Sequence, residues 1–210
     1  AQRNVENFNF GWQFHRGNID VTAINTSDGS WETINVPHDF QISQPWVAPA
    51  ANESEDNSDG ASNFKSRLSA RGFKEMGDGW YVKTYTPAAD MKGRRILLDF
   101  EGIMYVGDVY LNGKRIGGTD YGYLGFDIDV SKLLKYGQAN TIAVHASTSG
   151  PLNSRWYTGG GLYRDVKIVS TPADIYFVRH PLYVTTTDNH LVNLQVEVAN
   201  YTKQNNVKLQ

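Results

Sequence analysis

The chain has 210 residues, of which 40% are hydrophobic, 20% charged and 12% aromatic, a composition that suits a soluble globular core and excludes a disordered or membrane-spanning polymer. Its 20 Lys and Arg are spread among 22 Asp and Glu for a net charge of −2, which leaves no electrostatic footprint for nucleic acid or an anionic membrane and argues against both as partners. Cysteine is absent, so disulfides, thiolate zinc sites and cysteine nucleophiles are excluded together.

Period-two alternation recurs along the chain and no window sustains a helical period, so the expectation is an all-β protein. The pattern fails between Phe40 and Gly79, where Asn52 to Gly60 is the most polar stretch and reads as a long loop. Trp80 to Thr86 alternates well. In Ile96 to Phe100, Ile96, Leu98 and Phe100 should face a core while Asp99 and Glu101 face water or a site. Two alternating runs from Ile103 to Gly118 flank Asn112-Gly113, a dipeptide that tolerates the positive φ angles of a type I′ hairpin. Phe126, Ile128 and Val130 alternate with Asp127 and Asp129, and Ser131 to Leu134, ending near Gly137, suggests one short helical turn. Ile142 to Ala146 and Val166 to Val169 supply further strands, and together they argue for a two-sheet sandwich or jelly roll, with a barrel as the weaker alternative. After Thr171-Pro172 a fresh set begins, with Val192, Leu194, Val196 and Val198 in phase. The roughly 35 residues left are too few for a domain of their own, so the chain is expected to stop inside a second one.

Candidate chemistry is weighed against plainer accounts. Asp99 with Glu101, or Asp127 with Asp129, could form a glycosidase carboxyl pair, but alternation on strands makes solvated faces the better reading. Glu55, Asn57, Asp59 and Gly60 echo an EF-hand loop, yet Ser66 stands where the closing Glu belongs, so no metal site is assigned. His38 beside Asp39 reads as a structural, hydrogen-bonded histidine, because sequence neighbours on extended chain point apart. Gly159-Gly160-Gly161 leads into a strand and not a helix, so a tight turn fits better than a phosphate cradle. Arg164-Asp165 reads as exposed strand charges or an ion pair. Arg155, Trp156 and Tyr157 bring a planar cation and two aromatic faces together, the groups that hydrogen-bond sugar hydroxyls and stack on pyranose C–H faces. Sequons occur at Asn25, Asn52 and Asn200 and matter only in a eukaryotic secretory pathway.

Taken in order, Phe8-Asn9-Phe10-Gly11-Trp12-Gln13-Phe14, Trp31 with Val36-Pro37-His38-Asp39-Phe40, Gly79-Trp80-Tyr81, Phe100-Glu101-Gly102-Ile103, Val109-Tyr110-Leu111-Asn112-Gly113 and Gly161-Leu162-Tyr163-Arg164-Asp165-Val166 resemble the N-terminal sugar-binding domain of glycoside hydrolase family 2, which includes β-galactosidases, β-glucuronidases and β-mannosidases. The first of these segments looks like the family's first strand. The resemblance implies a galactose-binding-domain-like jelly-roll β-sandwich over residues 1–174 and, over 175–210, the first strands of an immunoglobulin-like sandwich. It places the catalytic glutamates on a later barrel domain, so no catalytic residue and no cofactor or metal is expected here. The loop carrying Arg155, Trp156 and Tyr157 is implied to help shape the terminal-sugar subsite, although several members hold a carboxylate where Arg155 stands.

The segments Ser154 to Tyr157 and Asp120 to Tyr123 resemble β-galactosidase-type bacterial members, which favours a β-galactoside or related oligosaccharide as substrate and the barrel of the same parent chain as partner. A homo-oligomer is left open, a β-glucuronidase or β-mannosidase parent is the alternative, and a free-standing carbohydrate-binding module is the rival. The start at Ala1 fits a mature end left by signal cleavage or a boundary within a longer chain, and with the lack of cysteine it suggests a bacterial periplasmic or extracellular setting.

Overall fold

A computed structural model describes residues 2–47, 74–149, 157–188 and 190–203. Its strands are β1 (Asn4–Asn7), β2 (Trp12–Arg16), β3 (Glu32–Ile34), β4 (Asp78–Tyr85), β5 (Arg95–Phe100), β6 (Val106–Leu111), β7 (Lys114–Thr119), β8 (Phe126–Asp129), β9 (Asn140–Ser147), β10 (Val166–Thr171), β11 (Ile175–Asp188) and β12 (Leu191–Asn200). They form a four-stranded sheet ordered β1-β10-β5-β8, a six-stranded sheet ordered β3-β2-β4-β9-β6-β7, and a separate β11-β12 hairpin. Every pairing between these strands is antiparallel. Among the described residues no helix is long and apolar enough to cross a membrane.

The core lies between the two larger sheets. Ile96, Leu98 and Phe100 of β5 and Val166 and Ile168 of β10 meet Trp12 and Phe14 of β2, Tyr81 of β4, Val109 of β6 and Ile142 and Val144 of β9. Each such side chain fully removed from water stabilises the fold by about 1.5–3 kcal/mol. Alternation therefore placed the β5 side chains as expected, and the sandwich is the jelly-roll type. A smaller apolar cluster of Trp80, Val82 and Ala143 lies apart from this core and is packed by Ile19, Val21, Ile24 and Trp31.

Three local outcomes are instructive. Asn112 and Gly113 both have positive φ (51° and 81°), as the type I′ hairpin requires. Of the stretch Phe8 to Phe14 that resembles a first strand, only Trp12 to Phe14 is strand, the start of β2; Phe8 to Gly11, where Gly11 has φ 72°, carries the chain across from β1 in the four-stranded sheet to β2 in the six-stranded one. Buried Asn9 holds this crossing, accepting from the Val166 amide at 2.8 Å and donating to Asp165 at 2.9 Å. The expected single helical turn at Ser131 to Leu134 is present, with the Leu133 and Leu134 amides donating to the Val130 carbonyl at 2.9 and 3.1 Å. Its backbone does not propagate because Asn140, fully buried, takes the Lys135 N–H (2.9 Å) and donates to the carbonyls of Lys135 (2.9 Å) and Gln138 (3.0 Å).

The second set of strands starts at Ile175, just after Thr171-Pro172 as the alternation suggested, and β11 is interrupted. Between the pairs Phe177↔Val198 and Leu182↔Val196, four residues, Val178 to Pro181, stand opposite Glu197 alone.

Candidate functional site

At one edge of the sandwich the segment from Pro37 to Gln41 runs against Tyr157 to Leu162. The Val36–Pro37 peptide is cis. Backbone bonds join the two segments, His38 N–H to Leu162 O at 2.7 Å and Phe40 N–H to Gly160 O at 2.9 Å. Both segments are irregular, so each must satisfy its backbone through the other or through side chains.

Asp39 does most of that work. One carboxylate oxygen accepts from the Gly160 amide (2.9 Å) and the Gln41 amide (3.0 Å), and the other accepts from the Tyr157 hydroxyl (2.7 Å). A carboxylate with three donors is committed to structure and is a poor nucleophile or base. The Tyr157 phenol is pushed well above its ordinary value by burial first, then by its hydrogen bond to Asp39 and the nearby negative charge.

His38 points the other way, as the sequence suggested. Its Nδ1 lies 2.9 Å from the hydroxyl of fully buried Tyr81, and its ring packs edge-on against Phe14 at 4.8 Å. Burial holds the imidazole below its usual range, opposed by Glu32 and Asp39, so it is neutral at pH 7. Burial likewise raises the Tyr81 phenol.

The three glycines are explained by close approach as much as by turning. A Cβ on Gly159 (φ 76°) would lie 2.8 Å from Asp39 Oδ2, and one on Gly160 would lie 2.8 Å from both Gln41 Oε1 and Thr148 Cγ2. On Gly161 (φ 111°) it would fall on the Tyr81 hydroxyl. Beneath Gly160 the Gln41 amide is fully buried, with no hydrogen-bond partner for Oε1 or Nε2 among the described residues.

Of the three proposed sugar contacts, Arg155 and Trp156 lie outside the described residues, as do Asn52, the Glu55 to Gly60 stretch and Ser66. Tyr157 is half-buried, and its hydroxyl is engaged by Asp39. Asp39 was legible only as the neighbour of His38. The signal that could have found it is its Asx-turn to the Gln41 amide two residues on.

Of the other candidate carboxylates, Asp129 is exposed and Glu101 partly so, as solvated faces would be, and each is ion-paired, Asp129 with Arg95 at 3.3 Å and Glu101 with Lys167. Asp99 and Asp127 are more covered, face each other across β5 and β8 and both receive Arg179. Arg164 stacks 5.1 Å from the centre of the Tyr163 ring, while Asp165 accepts from Asn9. Among the described residues no group of three or more His, Asp or Glu is placed to hold a metal.

Residues 67–155 match the family described as glycosyl hydrolase 2 galactose-binding domain-like. The chain is 31% identical over 196 residues to a β-glucuronidase of Formosa agariphila, covering 87% of this chain and 18% of that protein. With a β-galactosidase of Bacteroides ovatus it shares 29% over 210 residues, 98% of this chain and 23% of the relative. Among solved structures, a β-glycosidase from Bacteroides vulgatus superposes with a TM-score of 0.76 at 28% identity, over 96% of this chain and 25% of that one. A glycosyl hydrolase family 2 member from Bacteroides cellulosilyticus does so with 0.74 at 30%, over 93% and 24%. The chain thus spans no more than a quarter of the length of these relatives.

Proposed function

Because the chain belongs to glycoside hydrolase family 2 as its galactose-binding domain-like part, we propose that it is the non-catalytic N-terminal domain of a parent enzyme that hydrolyses terminal β-galactosides, and that it helps shape the terminal-sugar subsite. The observation that carries this reading is the commitment of the candidate carboxylates among the described residues. Asp39 is spent on three donors, and Asp99, Glu101, Asp127 and Asp129 are each ion-paired. A retaining or inverting glycosidase needs two carboxyl groups free to flank a glycosidic bond. The chemistry therefore belongs to a barrel further along the parent chain, and this domain is inactive alone.

In this reading the Asp39–Tyr157–Gly160 bonds anchor the segment that Arg155 and Trp156 precede, so those two side chains are delivered to the rim of the barrel's site. Residues 1–174 form the jelly roll, and residues 175–210 begin an immunoglobulin-like sandwich. Support for that second unit comes from one face of the β11–β12 hairpin, where Leu182, Val184, Val192, Leu194 and Val196 are exposed and call for a covering sheet. Relatives include both β-galactosidases and β-glucuronidases, which makes β-glucuronides the alternative substrate.

The test is a hydrolysis assay of the chain beside its full-length parent with chromogenic β-galactoside and β-glucuronide. Turnover of the galactoside by the parent alone is expected. Turnover by the 210-residue chain itself would overturn the accessory role, and parent activity confined to the glucuronide would reassign the substrate.

A further inference from the structure

The outer face of the four-stranded sheet carries charges that the sugar-subsite reading does not use. Asp99 on β5 and Asp127 on β8 are direct cross-strand partners, and Lys167 on β10 is opposite Asp99 on the other side. Two carboxylates facing each other across a strand pair repel and disfavour that pairing unless a cation lies between them. Lys167 does not serve, because it is bonded to Glu101. The cation comes from outside the sheet: Arg179 of β11 bonds Asp99 through Nη1, and the same nitrogen lies 3.7 Å from Asp127.

We propose that Arg179 is a clamp that seats the β11–β12 unit on the outer face of the sandwich, with Asp99 and Asp127 as its receptor. Three independent features converge on it. The interruption in β11 is built around this residue, because Val178 to Pro181 leave the ladder and His180 takes φ 51°, which everts Arg179 from its own hairpin toward the neighbouring sheet. Gly125 leaves the guanidinium its space: a Cβ there would lie 2.6 Å from Arg179 Nη2 and within 2.9 and 3.1 Å of the Phe100 and Glu101 carbonyl oxygens. Finally, Arg179 Nε is buried with no hydrogen-bond partner among the described residues, so the hold rests on Nη1 and fails as a unit if the carboxylates or the space are removed.

Around the clamp the two units enclose a cleft of about 540 Å³, lined on the sandwich side by Arg95, Asp99, Glu101 and Arg164 and on the other by Phe177 and His180. Beside it Arg95 stacks on the Tyr176 ring at 4.1 Å. Directed polar links of this kind fix the orientation of one unit on the other. The clamp therefore sets the direction in which the chain leaves the sandwich, whatever the parent's substrate.

Hydrogen exchange of the 210-residue chain, read by mass spectrometry over residues 172–182, tests this, with melting of the sandwich followed in parallel by the fluorescence of buried Trp12 and Trp80. Arg179→Met and, separately, the double change Asp99→Asn with Asp127→Asn are expected to speed exchange in that segment by at least about tenfold while the sandwich melts within about 3 °C of the parent chain, the pattern of a local opening. Arg179→Lys, a cation without the guanidinium, should fall between. Unchanged exchange in both Arg179→Met and the double carboxylate variant overturns the clamp. So does a large fall in sandwich melting that parallels the exchange, since Arg179 would then be part of one cooperative core.

Discussion

The hydroxyl of Tyr157 donates to Oδ2 of Asp39 at 2.7 Å across 118 residues of sequence and, with the Gly160 amide on Oδ1, ties the two irregular segments of the site together. A hydrogen bond to a charged acceptor contributes about 1.5–3 kcal/mol. Tyr157→Phe should therefore lower stability by that amount, and Asp39→Ala by more, because it also abandons the Gly160 and Gln41 amides. Urea unfolding of the chain checks the order. Equal stability of Tyr157→Phe and the parent chain would mean that the bond is not formed in solution.

The glycines give a second, sharper contrast. Gly113 has φ 81° and open space where a Cβ would go, so Gly113→Ala incurs backbone strain alone, about 1–2 kcal/mol. Gly161→Ala combines φ 111° with collision against the Tyr81 hydroxyl, which is held in the core and cannot yield, so a loss above about 3 kcal/mol is expected. Thermal denaturation of the two variants side by side measures the difference. Similar melting temperatures would contradict the close packing of the Gly161 segment on Tyr81.

His38 makes stability pH-dependent with a definite sign. Its folded pKa lies below the ordinary imidazole value of 6.5 because burial penalises the imidazolium. The unfolded chain therefore binds the proton first, and stability is full above pH 6.5 and falls as pH drops from there toward the depressed folded value. His38→Gln removes the titrating group, so its stability should decline less between pH 7 and 5, by up to one proton's linkage. Parallel stability curves for the two proteins would show that His38 is as free to charge in the fold as in the unfolded chain.

The sandwich was readable because its strands turn alternate residues toward the core, so period-two alternation reports on it, as with Ile96, Leu98 and Phe100. The Asn112-Gly113 turn was readable because few residues tolerate its φ angles. Two kinds of feature were not. Where a side chain replaces the backbone ladder, as Asn140 does after Leu134, the hydrogen bonds are long-range and leave no periodic trace. Where charges on an outer strand face meet a distant segment, as Asp99 and Asp127 meet Arg179, alternation makes them look solvated. The site followed the same rule: the glycine run was visible, but Asp39's role depends on Tyr157 and Gly160, far along the chain, and could not be read from its neighbours.

The last prediction concerns the proposed sugar contacts themselves. Guanidinium recognises paired hydroxyls or a carboxylate through two parallel donors, and it contributes to binding without entering the bond-breaking step. In the full-length parent, Arg155→Ala should therefore raise KM for β-galactosides several-fold, with kcat little changed and melting temperature nearly constant, because an interaction made equally in ground and transition states affects affinity alone. Trp156→Ala separates site from core by a different readout: retained fold with weakened sugar binding places the indole at the subsite, whereas unfolding places it in the packing. Unchanged kcat/KM for Arg155→Ala across several galactosides would remove Arg155 from the subsite and leave the Asp39-anchored segment a purely structural element.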